Sequence, residues 1–188
     1  ANTTEPINDI SPSFNSRSAL IPQNYSIPRL STDIKGPIST LGYNGESYYQ
    51  CYIENDTKFI WHYCMATRDK ALDNVKDLFS VKLAAENTKA CVYRSDGAPE
   101  LISREIVKYL AANGCKVEYS PPYTPELNSI AERSHRTIFE SAHAMMLQSL
   151  LPMSFWTYAV TYAVKIFNYM PTNTIGGYMS PSQAKYGI

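Results

Sequence analysis

Three carboxylates in this chain are placed as a metal-dependent reaction needs them. Asp96 comes straight after a strand-like run, and Glu132 stands at the start of a helix-like run, with 35 residues between the two. A third acid, Asp33, lies in Leu30-Ser31-Thr32-Asp33-Ile34, the first strand-like stretch of the ordered region. Hard oxygen donors that converge from two strands and a facing helix suit Mg²⁺ or Mn²⁺. Two such ions about 3.5–4 Å apart can stabilise both the attacking and the leaving oxygen of a phosphoryl transfer. Each acid also has a plain structural reading. Asp33 can be a strand-end residue, and Asp96 before Gly97 is an ordinary turn Asp. Glu132 can close a capping box with Ser129. The metal-site reading comes from the three acids together.

The elements that must position them can be read from periodicity. Residues 1–28 are rich in Ser, Asn, Pro and Thr, the composition of a disordered arm or linker. From Arg29 the character changes, and residues 29–188 form the expected folded unit. Leu30 to Ile34 is a strand closed by Gly36-Pro37. Tyr48 to Ile53 and Phe59 to Met65, aromatic and β-branched around a polar turn, form a hairpin. Leu72, Val75, Leu78, Phe79 and Leu83 mark an amphipathic helix between Asp69 and Asn87, and Ala90 to Tyr93 is the next strand. Ser103 caps a helix that Asn113-Gly114 stops. Lys116 to Tyr119 is a strand, and a proline-rich loop from Ser120 to Pro125 leads to the helix of Glu132.

That helix, Ser129 to about Leu150, presents Ala131, Ser134, Ile138, Ala142 and Met145 as its apolar stripe, with Glu132 and Arg136 one turn apart on a neighbouring stripe. Pro152 breaks it. A second helix runs from about Ser154 to Tyr169, and Ser180-Pro181 starts a last short one. Three strands followed by alternating helices and strands predict an α/β protein with a mixed five-stranded sheet flanked by helices.

Composition narrows the function classes. At 188 residues with 44% hydrophobic residues, the chain can build one sizeable core. Lys+Arg and Asp+Glu are both 17, so no basic excess marks a self-sufficient DNA binder. Cys51, Cys64, Cys91 and Cys115 are scattered without a Cys-x-x-Cys pair, which predicts buried free thiols over disulfides or zinc ligands. Trp61, Trp156 and Tyr162 are expected in the core or at a subunit interface, and His135 and His143 as surface or core residues, not ligands. No run of 18 apolar residues occurs, which predicts no membrane contact. The chain begins at Ala1 with neither Met nor secretory signal, as a segment of a longer polypeptide does.

With these residues in view, the chain resembles the catalytic core of a retroelement integrase of the copia-type long-terminal-repeat retrotransposons, within the retroviral integrase superfamily. Thr32-Asp33-Ile34-Lys35-Gly36-Pro37-Ile38 resembles the family's first acidic strand, and Arg94-Ser95-Asp96 through Glu100 its second acidic motif. Tyr123-Thr124-Pro125, Asn128 and Ala131-Glu132-Arg133 resemble the run into its third acid, at the family's own spacing. Leu151-Pro152, Phe155-Trp156, Asn168, Pro171, Ser180-Pro181 and Tyr186-Gly187 follow the family's helical tail. His135 departs from the pattern, since relatives often carry Asn three residues past the Glu.

The resemblance implies a ribonuclease H-like fold and an enzyme that trims element DNA ends and joins them to target DNA. It implies Asp33, Asp96 and Glu132 as catalytic residues and as ligands of two Mg²⁺ or Mn²⁺ ions, with Asp33 bridging. Tyr123, Asn128 and Arg136 are the expected DNA contacts. Implied partners are element-end DNA, target DNA, further copies of the chain and other parts of the same polyprotein, in a nucleus or virus-like particle. Two other readings remain: a catalytically silent, domesticated module that binds DNA or protein, and a different nuclease of ribonuclease H-like fold.

Overall fold

The computed structural model describes residues 27–84, 91–119, 129–173, 175 and 177–187, with Ser129 described by its backbone alone. Most of the arm expected at residues 1–28 and the proline-rich loop at residues 120–125 lie outside these. Strands β1 (Arg29–Lys35), β2 (Tyr48–Glu54) and β3 (Ile60–Met65) form an antiparallel meander. Helix α1 (Ala71–Asp77) continues into a wider π-helical stretch, Leu78–Leu83, before β4 (Val92–Ser95). Helix α2 (Arg104–Ala112) leads to β5 (Lys116–Tyr119), and α3 (Ser129–Ser149), α4 (Trp156–Tyr169) and α5 (Pro181–Tyr186) follow. The sheet order is β3-β2-β1-β4-β5, with β4 and β5 parallel to their inner neighbours.

The inner strand β2 is buried on both faces, so its alternating side chains feed two cores. Tyr52, with Leu30, Trp61 and Tyr93, packs against Val75 and Leu78 on one side and against Ile106 and Leu110 of α2. Tyr49, Cys51 and Ile53 face α3 and α4, meeting Ile138, Ala142, Trp156 and Val160. The result is helices on both faces of one sheet, as the strand and helix periods predicted. Local signals end the elements where expected. The Ser103 hydroxyl accepts from the Ile106 N–H, and Ser180 and Gln183 close a capping box around Pro181.

Two expectations are corrected. Cys91 and Cys115 form a disulfide, while Cys51 and Cys64 are free. Parallel pairing puts Val92 beside Lys116, so the residues one step earlier stand side by side, 4.7 Å apart at Cα. The buried stripe of α3 runs through Ala131, His135, Ile138, Ala142 and Met146, not through Ser134 and Met145, which are half-buried. Counting only apolar residues passed over His135. Trp61 and Trp156 are core residues as expected, whereas Tyr162 is 58% exposed.

The outer edge of β3 is closed by a side chain. Asn168 of α4 accepts from the Ile60 N–H through Oδ1 at 2.9 Å and donates through Nδ2 to the Ile60 carbonyl at 2.9 Å, imitating a neighbouring strand. Asn168→Ala leaves both backbone groups buried without partners and is expected to cost about 2–3 kcal/mol in urea unfolding. An unchanged midpoint rules the cap out as a stabilising contact.

Candidate active site

Asp33 sits near the end of β1, and the sheet register brings the second acid to it. Ser31 pairs with Arg94 in the parallel β1–β4 ladder. Continued two residues, that register sets Asp96 beside Asp33. Both then lie where the chain leaves the sheet. Gly36 ends β1 at φ +137°, where a Cβ would meet the Ser47 carbonyl oxygen at 2.6 Å, so only glycine makes this exit without strain. Asp96 turns the chain out of β4, its Oδ1 accepting from the Ala98 N–H at 3.1 Å.

Helix α3 supplies the third acid. Its stripe packs Ala131 and Ile138 onto the β2 face of the sheet, which carries Glu132 toward the end of β1. The electrostatics place the three acids in one neighbourhood. The Asp33 carboxyl is raised above its ordinary range, first by burial, then by the negative charge of Asp96, and further by that of Glu132; the Ile34 N–H and Lys35 act the other way. Asp33 is half-buried, and Asp96 and Glu132 are exposed. Their donor type and mutual repulsion fit a divalent cation. Among the described residues, however, no group of three or more His, Cys, Asp or Glu side chains is arranged to hold a metal ion. The acids share a field without forming a closed ligand cage.

His135, one turn after Glu132 along the buried stripe, joins the site although sequence reasoning gave it no part there. Its ring is 5% exposed and stands edge-on to Tyr49. Nδ1 is 3.4 Å from Asp33 Oδ2, and Nε2 is 2.9 Å from Cys51 Sγ. Burial first, and Lys35 second, push its imidazole down to about 4, so it faces Asp33 as a neutral ring. No periodicity signal could have found it, since a polar residue on an apolar stripe reads as an interruption. Arg136 is exposed one turn past Glu132, and Lys35 lies 5.1 Å from the centre of the Phe139 ring. Tyr123 and Asn128 lie outside the described residues.

The two lowered histidines make stability depend on pH. His62 is also pushed down to about 4, by burial and then by Lys82. An unfolded His titrates near 6.5, so between that value and about 4 the unfolded chain binds more protons than the folded one. Stability is therefore fully present above about pH 6.5 and falls as the pH drops toward 4, by up to about 3 kcal/mol per histidine. Asp33, with its raised carboxyl, opposes part of this loss. Urea midpoints from pH 7 to pH 4.5 check the slope, and replacing His62 by an apolar residue is expected to shallow it. A flat profile contradicts the burial of both rings.

No family model matches the chain. It is 30% identical over 141 residues to the retrovirus-related Pol polyprotein from transposon TNT 1-94 of Nicotiana tabacum, covering 75% of this chain and 11% of that protein. Against the corresponding polyprotein from transposon RE1 of Arabidopsis thaliana it is 30% identical over 151 residues, 78% of this chain and 10% of the relative. The chain thus spans about a tenth of the length of the curated relatives it matches. Among solved structures, the simian T-cell lymphotropic virus intasome in complex with PP2A regulatory subunit B56 gamma superposes with a TM-score of 0.67 at 14% identity, over 85% of this chain and 55% of that one. The BIV integrase catalytic core domain gives 0.58 at 16% identity, over 85% and 93%. The HTLV-2 integrase catalytic core domain in complex with magnesium, in its trimeric form, gives 0.58 at 14% identity, over 85% and 98%.

Proposed function

We propose, from the premise that this chain belongs by sequence to the retrotransposon Pol polyproteins and by fold to the ribonuclease H-like integrase catalytic cores, that it is a copia-type integrase core joining DNA strands by phosphoryl transfer. The observation that carries this reading is the parallel pairing of β1 with β4, which brings the ends carrying Asp33 and Asp96 together under α3, the helix of Glu132; the Asp33 carboxyl is raised first by burial and then by the charges of Asp96 and Glu132. Three acids held within one another's field, on two adjacent strands and a facing helix, store a repulsion that bound cations relieve. Asp33, the most buried of the three, would hold the cations together with Asp96 and Glu132. When bound, two Mg²⁺ or Mn²⁺ ions supply charge stabilisation to the attacking and leaving oxygens and lower the pKa of the nucleophile.

The chain's own residues do the rest. Asp33 keeps its orientation because its Oδ1 accepts the Ile34 N–H at 2.8 Å. We assign Arg136, exposed one turn past Glu132, to a DNA phosphate, with Tyr123 and Asn128 as the further expected DNA contacts. The reactions are trimming of element ends by water and transfer of the new 3′ ends to target DNA. With a net charge of zero, the core draws much of its DNA affinity from other parts of the polyprotein. Tyr158, Tyr162, Ile166 and Tyr169 form an exposed apolar row on α4, the face assigned to self-association. No helix among the described residues is long and apolar enough to cross a membrane. The kinship to retrotransposon polyproteins is compatible with work in the nucleus or a virus-like particle.

A second reading, a silent interaction module, draws on the open arrangement of the acids. A short DNA carrying a branched integration product separates the two without needing other domains. Mn²⁺-dependent cleavage and joining by the native chain, lost in Glu132→Gln, is the expected result. A chain that binds no Mn²⁺ in calorimetry and leaves the DNA intact returns the second reading.

A further inference from the structure

Strand β3 lies at the edge of the sheet, and the Asn168 cap closes that edge only at Ile60. In an antiparallel ladder the outward-facing backbone groups recur at every second residue, so His62 and Cys64 present their N–H and C=O on the same side as Ile60. No backbone partner meets them among the described residues.

Beside this edge is a cleft of about 480 Å³, bounded by β3, α4, α5 and the π-helical stretch after α1. Phe59 and Trp61 give it apolar wall, and Lys82 and Lys165 stand exposed along it. Two of its lining residues carry a buried polar atom with no hydrogen-bond partner: His62 at Nδ1 and Ser182, itself 3% exposed, at Oγ. Native folds leave few such atoms, and these two ask for a partner that the chain's own side chains do not supply.

The charges say what kind of partner. No Asp or Glu lines the cleft, and neither lysine is ion-paired among the described residues. Two ammonium groups, a hydroxyl and a neutral imidazole can all donate to a carboxylate. An open sheet edge takes an extended main chain, whose pairing gives affinity while side-chain pockets give specificity. Both features meet at His62, with its backbone on the edge and its side chain in the lining of the cleft.

We propose that this cleft is a docking site for an acidic peptide in extended conformation, which pairs its backbone with His62 and Cys64 of β3 and brings a carboxylate to Lys82, Lys165 and the two unpartnered atoms. The site uses none of Asp33, Asp96 and Glu132, so it stands or falls apart from the metal-binding reading.

The test titrates the native chain with the capped peptide Thr-Val-Glu-Val-Thr and with its counterpart carrying Gln for Glu, followed by calorimetry and amide chemical shifts. The Glu peptide is expected to saturate the chain, to bind about tenfold or more tightly than the Gln peptide, and to move the amide signals of His62 and Cys64. Lys82→Gln combined with Lys165→Gln, both at exposed positions, is expected to remove the preference for Glu and to leave the urea midpoint unchanged. Equal affinity for the two peptides, or no binding of either by the native chain, overturns the inference. Propionate that shifts the His62 ring signals where the Glu peptide does not assigns the cleft to a free organic anion and overturns it too. Self-association that shuts the peptide out, read by sedimentation velocity, gives the cleft to a second copy, with the same consequence.

Discussion

Asp33→Asn is expected to lower Mn²⁺-dependent strand joining by about a thousandfold or more, the several kcal/mol that metal-held charge stabilisation supplies. The same change is expected to raise the stability of the metal-free chain. Both effects have one cause. Burial and the charges of Asp96 and Glu132 disfavour the Asp33 carboxylate, so the ionised group is a liability until cations arrive. Asn keeps the shape, and its Oδ1 can still accept from the Ile34 N–H, but it brings no negative charge. Activity on the branched DNA and urea unfolding in chelator give the two readouts. A variant that joins DNA at the native rate removes Asp33 from the reaction. One that is inactive but destabilised reduces the residue to a structural part of β1. Because Asp33 is the most buried of the three acids, its loss is expected to exceed that of Glu132→Gln.

The largest stability effect is expected far from that site, at Lys185→Met, with a cost of about 3–5 kcal/mol. Lys185 of α5 lies 3.1 Å from both carboxylate oxygens of Glu54 at the end of β2, and the two side chains are only 7% and 9% exposed. Its Nζ also stands 4.6 Å from the centre of the Trp61 ring, so the cation is held by a carboxylate and an aromatic face together. Met fills similar space, yet it leaves Glu54 as a buried anion that accepts from the Thr57 hydroxyl without a neutralising cation. The double change Glu54→Gln with Lys185→Met removes both charges and is expected to recover most of the loss. A denaturation-based double-mutant cycle measures the coupling, and additive costs exclude a specific pair. The contact pins the C-terminal helix to the sheet, so its loss separates stability from chemistry.

The sequence by itself determined the elements and the candidate acids. Aromatic and β-branched runs around a polar turn placed β2 and β3, three- and four-residue spacing placed α1 to α4, and Ser103 and Ser180 marked helix starts because a cap acts within one turn. Asp33 on the first strand, Asp96 after the fourth and Glu132 on α3 were legible for the same reason, each being tied to an element that local pattern defines. Tyr123 and Asn128 fall outside the described residues, so only Arg136 of the expected DNA contacts can be placed. Tertiary structure alone decided which distant groups meet. Cys91 and Cys115, 24 positions apart, bond because β4 and β5 pair in that register. Glu54 and Lys185, 131 positions apart, pair because α5 returns to the end of β2. His135, a polar gap in an apolar stripe, became a site residue because α3 packs that stripe over the strands carrying Asp33 and Cys51. Periodicity within a segment says which face is buried; the identity of what it is buried against depends on register and packing between segments, which no local spacing encodes.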